Sequence, residues 1–248
     1  RDQVFLLDAY ASDIESEAVE ARTVALRGSL ERLSNLLFQR PFSWSVGSEV
    51  LLTDERNRVT DGIARPRETY LIASLFGSAT IDSSDSLLDP TEGFRVTGFL
   101  APEVSRSNGT EVFYLRSQAD ASYYQSVGSG TVVATRGRFA TIQGAKTFEI
   151  APSRRLYAGG GSSIRGYGLE ARIDTGLMDG AVQIVPFVDA GTVSISSTPD
   201  FRFIKFGAGL GVRYKTGFGP IRVDVGVPLN PGPDDSPVAV YVSLGQAF

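Results

Sequence analysis

The stretch GGGSSIRGYG, residues 159–168, is the part of the sequence whose residue types and spacing most suggest chemistry. It sets one arginine, Arg165, among five glycines. Such a run could cradle a phosphate, form a flexible loop, or be a defined tip whose arginine binds a carboxylate. The phosphate interpretation fails on spacing, because G-x-G-x-x-G would need a glycine where Ile164 stands, and the lysine of a P-loop is absent. The other two depend on the flanking elements.

The sequence lacks two residue types on which much enzyme chemistry depends. It contains no His and no Cys, which excludes Ser-His-Asp and Cys-His triads and the usual zinc sites. We therefore expect no enzymatic activity, no catalytic residues, no cofactor and no metal. Asp82, Asp85 and Asp89 resemble a metal cluster only superficially, and their spacing predicts turn capping. A net charge of −4 gives no indication of nucleic-acid binding.

Strict alternation of apolar and polar residues predicts β-strands along the whole chain. In residues 221–229, IRVDVGVPL, the apolar side chains of Ile221, Val223 and Val225 share one face, and Arg222 and Asp224 lie on the other. The sequence contains no run of about 18 apolar residues, so it predicts no transmembrane helix. About twelve such segments are found, at 3–13, 21–33, 42–54, 68–82, 93–105, 111–126, 131–143, 169–175, 181–194, 204–216, 219–229 and 237–248.

Two all-β folds fit this pattern, a soluble β-sandwich and an antiparallel transmembrane β-barrel. Most segments run for roughly 9 to 14 residues, about the length with which a tilted strand crosses a bilayer and longer than the usual sandwich strand. The polar faces carry opposite charges, as a water-filled interior would allow. With the C-terminus on the periplasmic side, the short connections SVGSG and TGFG fall inside and the longest connections outside. We therefore predict an outer-membrane β-barrel of about twelve strands.

A few residues have predicted places in such a barrel. Arg136 and Arg138, two apart on one face, would line the interior as solvated charges. Four aromatic residues are predicted in the interfacial girdles, namely Trp44, Tyr123, Tyr124 and Phe218.

Four motifs in order resemble the superfamily of outer-membrane insertases and two-partner-secretion transporters. Ile164-Arg165-Gly166-Tyr167 resembles its (V/I)-R-G-(F/Y) loop signature, and residues 185–191, VPFVDAG, its F-x-D-x-G strand. Residues 82–95 resemble its D-x(n)-P-x-x-G-F turn, and the final VSLGQAF its closing strand. Among superfamily members the chain is most similar to TamA, through LDPTEGFR and SLGQAF, with BamA next.

The resemblance implies a binding partner for the arginine of the loop. In the superfamily the loop folds back into the barrel and its arginine meets acidic residues on the inner wall. Alternation places Asp189 on the face that should line the interior, and the superfamily's second acidic position maps to Glu170. We therefore predict that Arg165 pairs with Asp189 and also with Glu170. The planar guanidinium can hold a carboxylate through two hydrogen bonds.

The resemblance also implies a function. Superfamily barrels assemble or translocate client outer-membrane proteins by parting the seam between the first and last strands. Gly245, which offers no side chain for packing, and terminal Phe248 would lie at this seam. The expected partners are outer-membrane lipid, client proteins and an inner-membrane subunit. The alternatives are a BamA-type insertase, a two-partner-secretion pore, a passive pore and a soluble β-sandwich.

Superfamily barrels have sixteen strands preceded by POTRA domains. We therefore expect residues 1–248 to be one barrel domain from which four N-terminal strands and the POTRA domains are absent. Because an open sheet edge is not tolerated in lipid, the twelve strands would either close as a smaller barrel or pair with another copy.

Overall fold

The structure, a computed structural model, consists of one antiparallel sheet. It describes residues 3–16, 18–35, 38–58, 66–157, 167–194, 200–217, 219–232 and 236–244. Within these ranges every strand pairs with its neighbour in sequence. The twelve strands are β1 (Val4–Glu15), β2 (Val19–Arg32), β3 (Phe42–Asn57), β4 (Glu68–Asp82), β5 (Gly93–Ser107), β6 (Thr110–Ser126), β7 (Thr131–Gln143), β8 (Tyr167–Asp174), β9 (Val182–Gly191), β10 (Lys205–Tyr214), β11 (Ile221–Pro228) and β12 (Ala239–Leu244).

The predicted all-β fold of twelve antiparallel strands is confirmed. Strand bounds agree within three residues, except in β12, where residues 245–248 of the predicted strand lie outside the described part of the chain. β1 and β12 are the two edges of the sheet, and in the described residues they do not pair with each other. No helix among the described residues is long and apolar enough to cross a membrane.

The two faces of the sheet have opposite character. On the outer face apolar side chains are exposed, as Val225 and Val240 are, with 43% and 62% of their surface accessible. On the inner face charged side chains are buried, as Arg222 and Asp224 are, at 1% and 3%. A soluble protein buries apolar side chains and exposes charges. The reversed arrangement is that of a transmembrane barrel wall, with its apolar surface towards lipid.

The two ends of the sheet differ in the lengths of the connections that they carry. One end carries the short connections 127–130, 175–181 and 215–220, together with the longer segments 33–41 and 83–92. The opposite end carries the longest connection, 144–166, although β5 and β6 are joined there by only Asn108 and Gly109. The predicted alternation therefore holds with exceptions at both ends. We refer to the first end as the C-terminal end, since β12 runs towards it.

Within the described part of the chain, segments of two connections fold onto the inner face. Residues 83–92 reach from β4 and β5 to β8, and residues 147–157 reach from β7 to β3. Each of these segments contacts a strand several positions away in the sheet order, which requires the sheet to curve around the segments. These two segments bring together the residues of the candidate site.

Candidate functional site

Several residues of the predicted site lie outside the described part of the chain. These are Ile164, Arg165, Gly166, Gly245 and Phe248, so the pairing of Arg165 and the seam contacts stay predictions. Of the loop signature, Tyr167 is described. It is the first residue of β8 and is exposed on the outer face.

Asp189 lies where the sequence predicts it, on the inner face of β9. Its neighbours at alternate positions, Phe187 and Gln183, are buried on the same face, whereas Val188 is exposed on the other. Asp189 is directly opposite Gly168 of β8. Because Gly168 follows Arg165 by three residues, the chain enters β8 beside Asp189, which is consistent with the predicted pair.

Glu170 is fully buried and already bonded to two arginines that the sequence analysis did not assign to the site. Its Oε1 accepts a hydrogen bond from Nε of Arg172 at 2.9 Å and from Nη2 of Arg213 at 2.7 Å. The two arginines are 1% and 0% exposed. Glu170 is therefore the shared acceptor of an Arg–Glu–Arg cluster. If Arg165 also binds it, Arg165 joins an occupied carboxylate.

A second buried ion pair, between Arg222 and Asp224 on β11, lies next to this cluster. β11 pairs with β10, and Arg222 is directly opposite Arg213. The signal for both pairs was present in the sequence as charged residues two positions apart, at 170 and 172 and at 222 and 224. Two positions apart on a strand means the same face. What the spacing did not show is that this face is closed off from solvent.

The turn motif meets this cluster from the C-terminal end of the sheet. Nη1 of Arg172 donates to the backbone carbonyl of Pro90 at 2.7 Å, and Oδ1 of Asp89 is 3.7 Å from the same nitrogen. The guanidinium also lies over the ring of Tyr124, 5.5 Å from its centroid. The prediction that Tyr124 is a girdle aromatic is therefore wrong, because it is on the inner face and 1% exposed. Tyr123, its neighbour, is exposed on the outer face.

Aspartates of the turn cap its backbone, as the sequence predicts. Oδ1 of Asp85 accepts from the amides of Thr91 and Glu92 at 2.8 and 3.2 Å. Asp82 binds Nε of Arg95 at 3.0 Å and the Ser84 amide at 3.0 Å. Burial raises the pKa of Asp85, but the hydrogen bonds from Thr91 and Glu92 outweigh it and hold that pKa below the ordinary value. Among the described residues no group of acidic side chains is arranged to hold a metal.

The segment 147–157 is held on the inner face by carboxylates of β3 and β5. Nη2 of Arg154 donates to Oε2 of Glu49 at 2.6 Å, and its Nε is 3.7 Å from Glu103. The backbone amide of Ser153 donates to Oε2 of Glu55 at 2.8 Å. Glu55 and Glu103 are each 1% exposed. We call Glu49, Glu55 and Glu103, with Ser153 and Arg154, the carboxylate clamp.

An apolar cluster lies beside the clamp. Ala151 is completely buried and belongs to one cluster with Leu51 and Ile72 of the inner wall, together with Ala25 and Tyr70. The segment is thus packed into the interior as well as bonded to it. Farther along the wall, Arg136 and Arg138 both bind Asp120, at 3.0 and 2.6 Å, so these predicted lining residues lie on the inner face as ion pairs.

An apolar outer wall, buried inward charges and two connections folded into the interior define this chain as a transmembrane β-barrel protein of the bacterial outer membrane. It belongs to the Omp85 superfamily, whose domain description matches residues 20–172 and 167–248. The predicted superfamily resemblance is thereby confirmed.

A solved structure shares the fold. The chain is similar to BamA from Haemophilus ducreyi, crystallised without POTRA domains 1–3, with a TM-score of 0.66 and 16% sequence identity. The match covers 96% of this chain and 56% of the BamA chain. The chain therefore spans little more than half the length of that relative.

Proposed function

We propose that this protein assembles or inserts client outer-membrane proteins. The observation that carries the proposal is membership of the Omp85 superfamily along nearly the whole chain. The fold it shares with BamA supports the same conclusion, as does the position of Asp189 on the inner face, directly opposite Gly168 at the start of β8.

The proposed mechanism is strand addition at the barrel seam, to which the last strand, β12, contributes one edge. Among the described residues β12 pairs on one side only, with β11. The backbone groups of such an edge can pair with an incoming client strand, and main-chain hydrogen bonds then give affinity with little sequence preference. This activity needs no covalent catalysis, so we propose that the protein is not an enzyme and needs no cofactor. Its partners are the client proteins and the surrounding lipid.

Within the superfamily we propose a TamA-like role in translocation and assembly, together with an inner-membrane subunit. The proposal rests on residues 88–95, LDPTEGFR, and on the closing strand, which resemble TamA. Within LDPTEGFR, the backbone carbonyl of Pro90 accepts a hydrogen bond from Arg172, so this motif has a defined structural role in this chain. A BamA-type insertase and a two-partner-secretion pore remain the competing assignments.

The assembly function is tested with purified protein in liposomes. Urea-unfolded client β-barrel is added, and its folded fraction is followed by the heat-dependent shift of its gel band. We expect faster folding than in empty liposomes, reduced by Arg165→Ala and by Asp189→Ala. Arg202→Ala is the matched control, since Arg202 is an exposed arginine that binds Asp200 in an outer connection. Folding no faster than in empty liposomes, together with steady ion conduction, would indicate a passive pore instead.

The TamA-like role needs a different experiment. Crosslinking in intact envelopes, followed by purification of this chain, should recover an inner-membrane protein. Recovery of outer-membrane proteins alone, with no inner-membrane partner, would favour the BamA-type assignment.

A further inference from the structure

We propose that Arg172 is a positioning residue that pins the connection 83–92, here called the Pro90 turn, across the C-terminal end of the barrel interior. The turn joins β4 to β5, whereas Arg172 is on β8. Three strand spacings, about 14 Å along the wall, separate β5 from β8. The turn therefore spans the inner ends of β6 and β7 instead of extending away from the sheet.

Burial beneath the turn shows that the interior is covered there. Tyr124 of β6 and Val132 and Ala134 of β7 lie at this end of the inner face and are 1%, 8% and 0% exposed. The side chain of Pro90 is itself buried, so this part of the turn is packed against the protein and not exposed to solvent. Displacing the turn would uncover these wall residues.

The contact that holds the turn needs a guanidinium. Arg172 uses Nη1 for the Pro90 carbonyl and Nε for Glu170, two acceptors on different elements. A planar fork with five donors reaches both at once, whereas an ammonium is a single point charge on a flexible stem. Because the acceptor on the turn is a backbone carbonyl, its position is set by the conformation of the turn.

The same contact connects the turn to strands near the C-terminal edge of the sheet. Glu170 bonds Arg172 and Arg213 through one oxygen, and Arg213 is on β10. A continuous chain of bonds thus runs from the Pro90 carbonyl through β8 to β10. Movement of the turn would therefore displace Arg172 from Glu170, which is also a predicted partner of Arg165.

Removing Arg172 should loosen the turn without unfolding the barrel. In an Arg172→Met variant Glu170 keeps its bond to Arg213, and Arg222 keeps Asp224. No buried carboxylate of these two pairs is left without its arginine. A methionine also preserves much of the apolar stem of Arg172, although not the guanidinium that lies over Tyr124.

The experiment measures access to the wall beneath the turn. The chain has no natural cysteine, so Ala134→Cys gives one thiol at a fully buried site. Its rate of modification by a small water-soluble thiol reagent is measured in proteoliposomes. Arg172→Met should raise the rate roughly ten- to a hundredfold, as expected for loss of a hydrogen bond to a charged group. Arg172→Lys should behave like Arg172→Met if the fork is required.

Gly93→Ala supplies an independent way to displace the turn. Gly93 has a φ of +96°, and an added Cβ would collide with the Ser83 carbonyl. It should raise the rate without touching Arg172, and the double variant should label no faster than the faster single variant. Arg138→Met is the matched control, because it removes an inner-wall arginine that binds Asp120, and it should leave the rate unchanged.

Two results would overturn the proposal. One is an unchanged labelling rate in Arg172→Met and Arg172→Lys proteins that keep the heat-dependent gel shift of the folded barrel. The other is a double variant whose labelling rate rises by the product of the factors measured for Arg172→Met and Gly93→Ala alone. This would mean that the two substitutions act on separate events. Neither readout depends on client assembly, so the proposed function can fail while this inference stands.

Discussion

Glu170 carries a buried negative charge between two buried arginines, and its loss should be costly. In Glu170→Gln, Arg172 and Arg213 would keep their charges without the carboxylate that both bind. Breaking a buried ion pair by removing one partner typically costs about 3–5 kcal/mol. We expect a loss of this order in the free energy of unfolding, measured by urea titration in detergent.

The control for this substitution is an exposed ion pair. Asp13 and Arg22 form one at 3.2 Å, with 70% and 66% of their side chains exposed. Asp13→Asn should change stability by no more than about 1 kcal/mol. Equal effects of the two substitutions would contradict the assignment of Glu170 to a buried cluster.

Asp85 should give the Pro90 turn a dependence on pH. Its folded-state pKa lies below the ordinary value because hydrogen bonds from Thr91 and Glu92 favour the carboxylate. A depressed carboxyl pKa adds stability that is present above the unfolded pKa, near 3.9, and is lost as pH falls through the folded pKa. The Thr91 amide shift, followed by NMR, should titrate with a midpoint below that of free aspartate. Asp85→Asn should abolish the titration, and a midpoint at or above 3.9 would refute the prediction.

Strand β10 depends on a glycine at one point of the inner face. Gly209 is directly opposite Phe187, and an added Cβ would collide with that ring and with the Val225 carbonyl. Gly209→Ala should therefore lower the free energy of unfolding by about 1–3 kcal/mol, the usual cost of overpacking. Gly98→Ala is the matched control, since nothing lies within 4 Å of a Cβ at that strand glycine. Similar stabilities for the two variants would contradict the packing described for Phe187.

The carboxylate clamp should hold the segment 147–157 as one unit with β3. Arg154→Met and Glu49→Gln each break the 2.6 Å contact, so their effects should not add, with a coupling of about 0.5–3 kcal/mol. Undocking should also expose Arg155 to trypsin, which mass analysis of the fragments would detect. Arg138→Met with Glu49→Gln should be additive, because Arg138 binds Asp120 instead. Additive effects of Arg154→Met and Glu49→Gln would show that the contact between the two side chains does not contribute to stability.

The whole molecule should be stable only with its outer face covered by lipid or detergent. Leu75, at the middle of β4, is on this face and 63% exposed. Leu75→Arg should cost about 2–4 kcal/mol in a bilayer, where Thr69→Arg on the same face near the strand end should cost about 0–1 kcal/mol. Urea titration in liposomes measures both. In a soluble β-sandwich both exposed sites would tolerate arginine within about 0.5 kcal/mol.

The sequence by itself determined the strands, their faces and the superfamily. Side chains alternate because successive residues of a strand point to opposite faces, so IRVDVGVPL predicted which side of β11 meets lipid and which meets the interior. The turn-capping role of Asp85 could also be read from spacing, because its partners are six and seven residues away. These are properties of short range along the chain.

Only the tertiary structure decided which residues meet across the interior. Arg172 contacts Pro90, 82 positions away, and Ser153 contacts Glu55, 98 positions away. Alternation puts such residues on the inner face but gives neither the curvature of the sheet nor the path of a long connection. Tyr124 separates the two contributions, since alternation along β6 already places it on the inner face, against the girdle role that its residue type suggested, but only the fold brings Arg172 over its ring. The physical reason is that these contacts depend on the relative position of strands throughout the sheet, which no local pattern encodes.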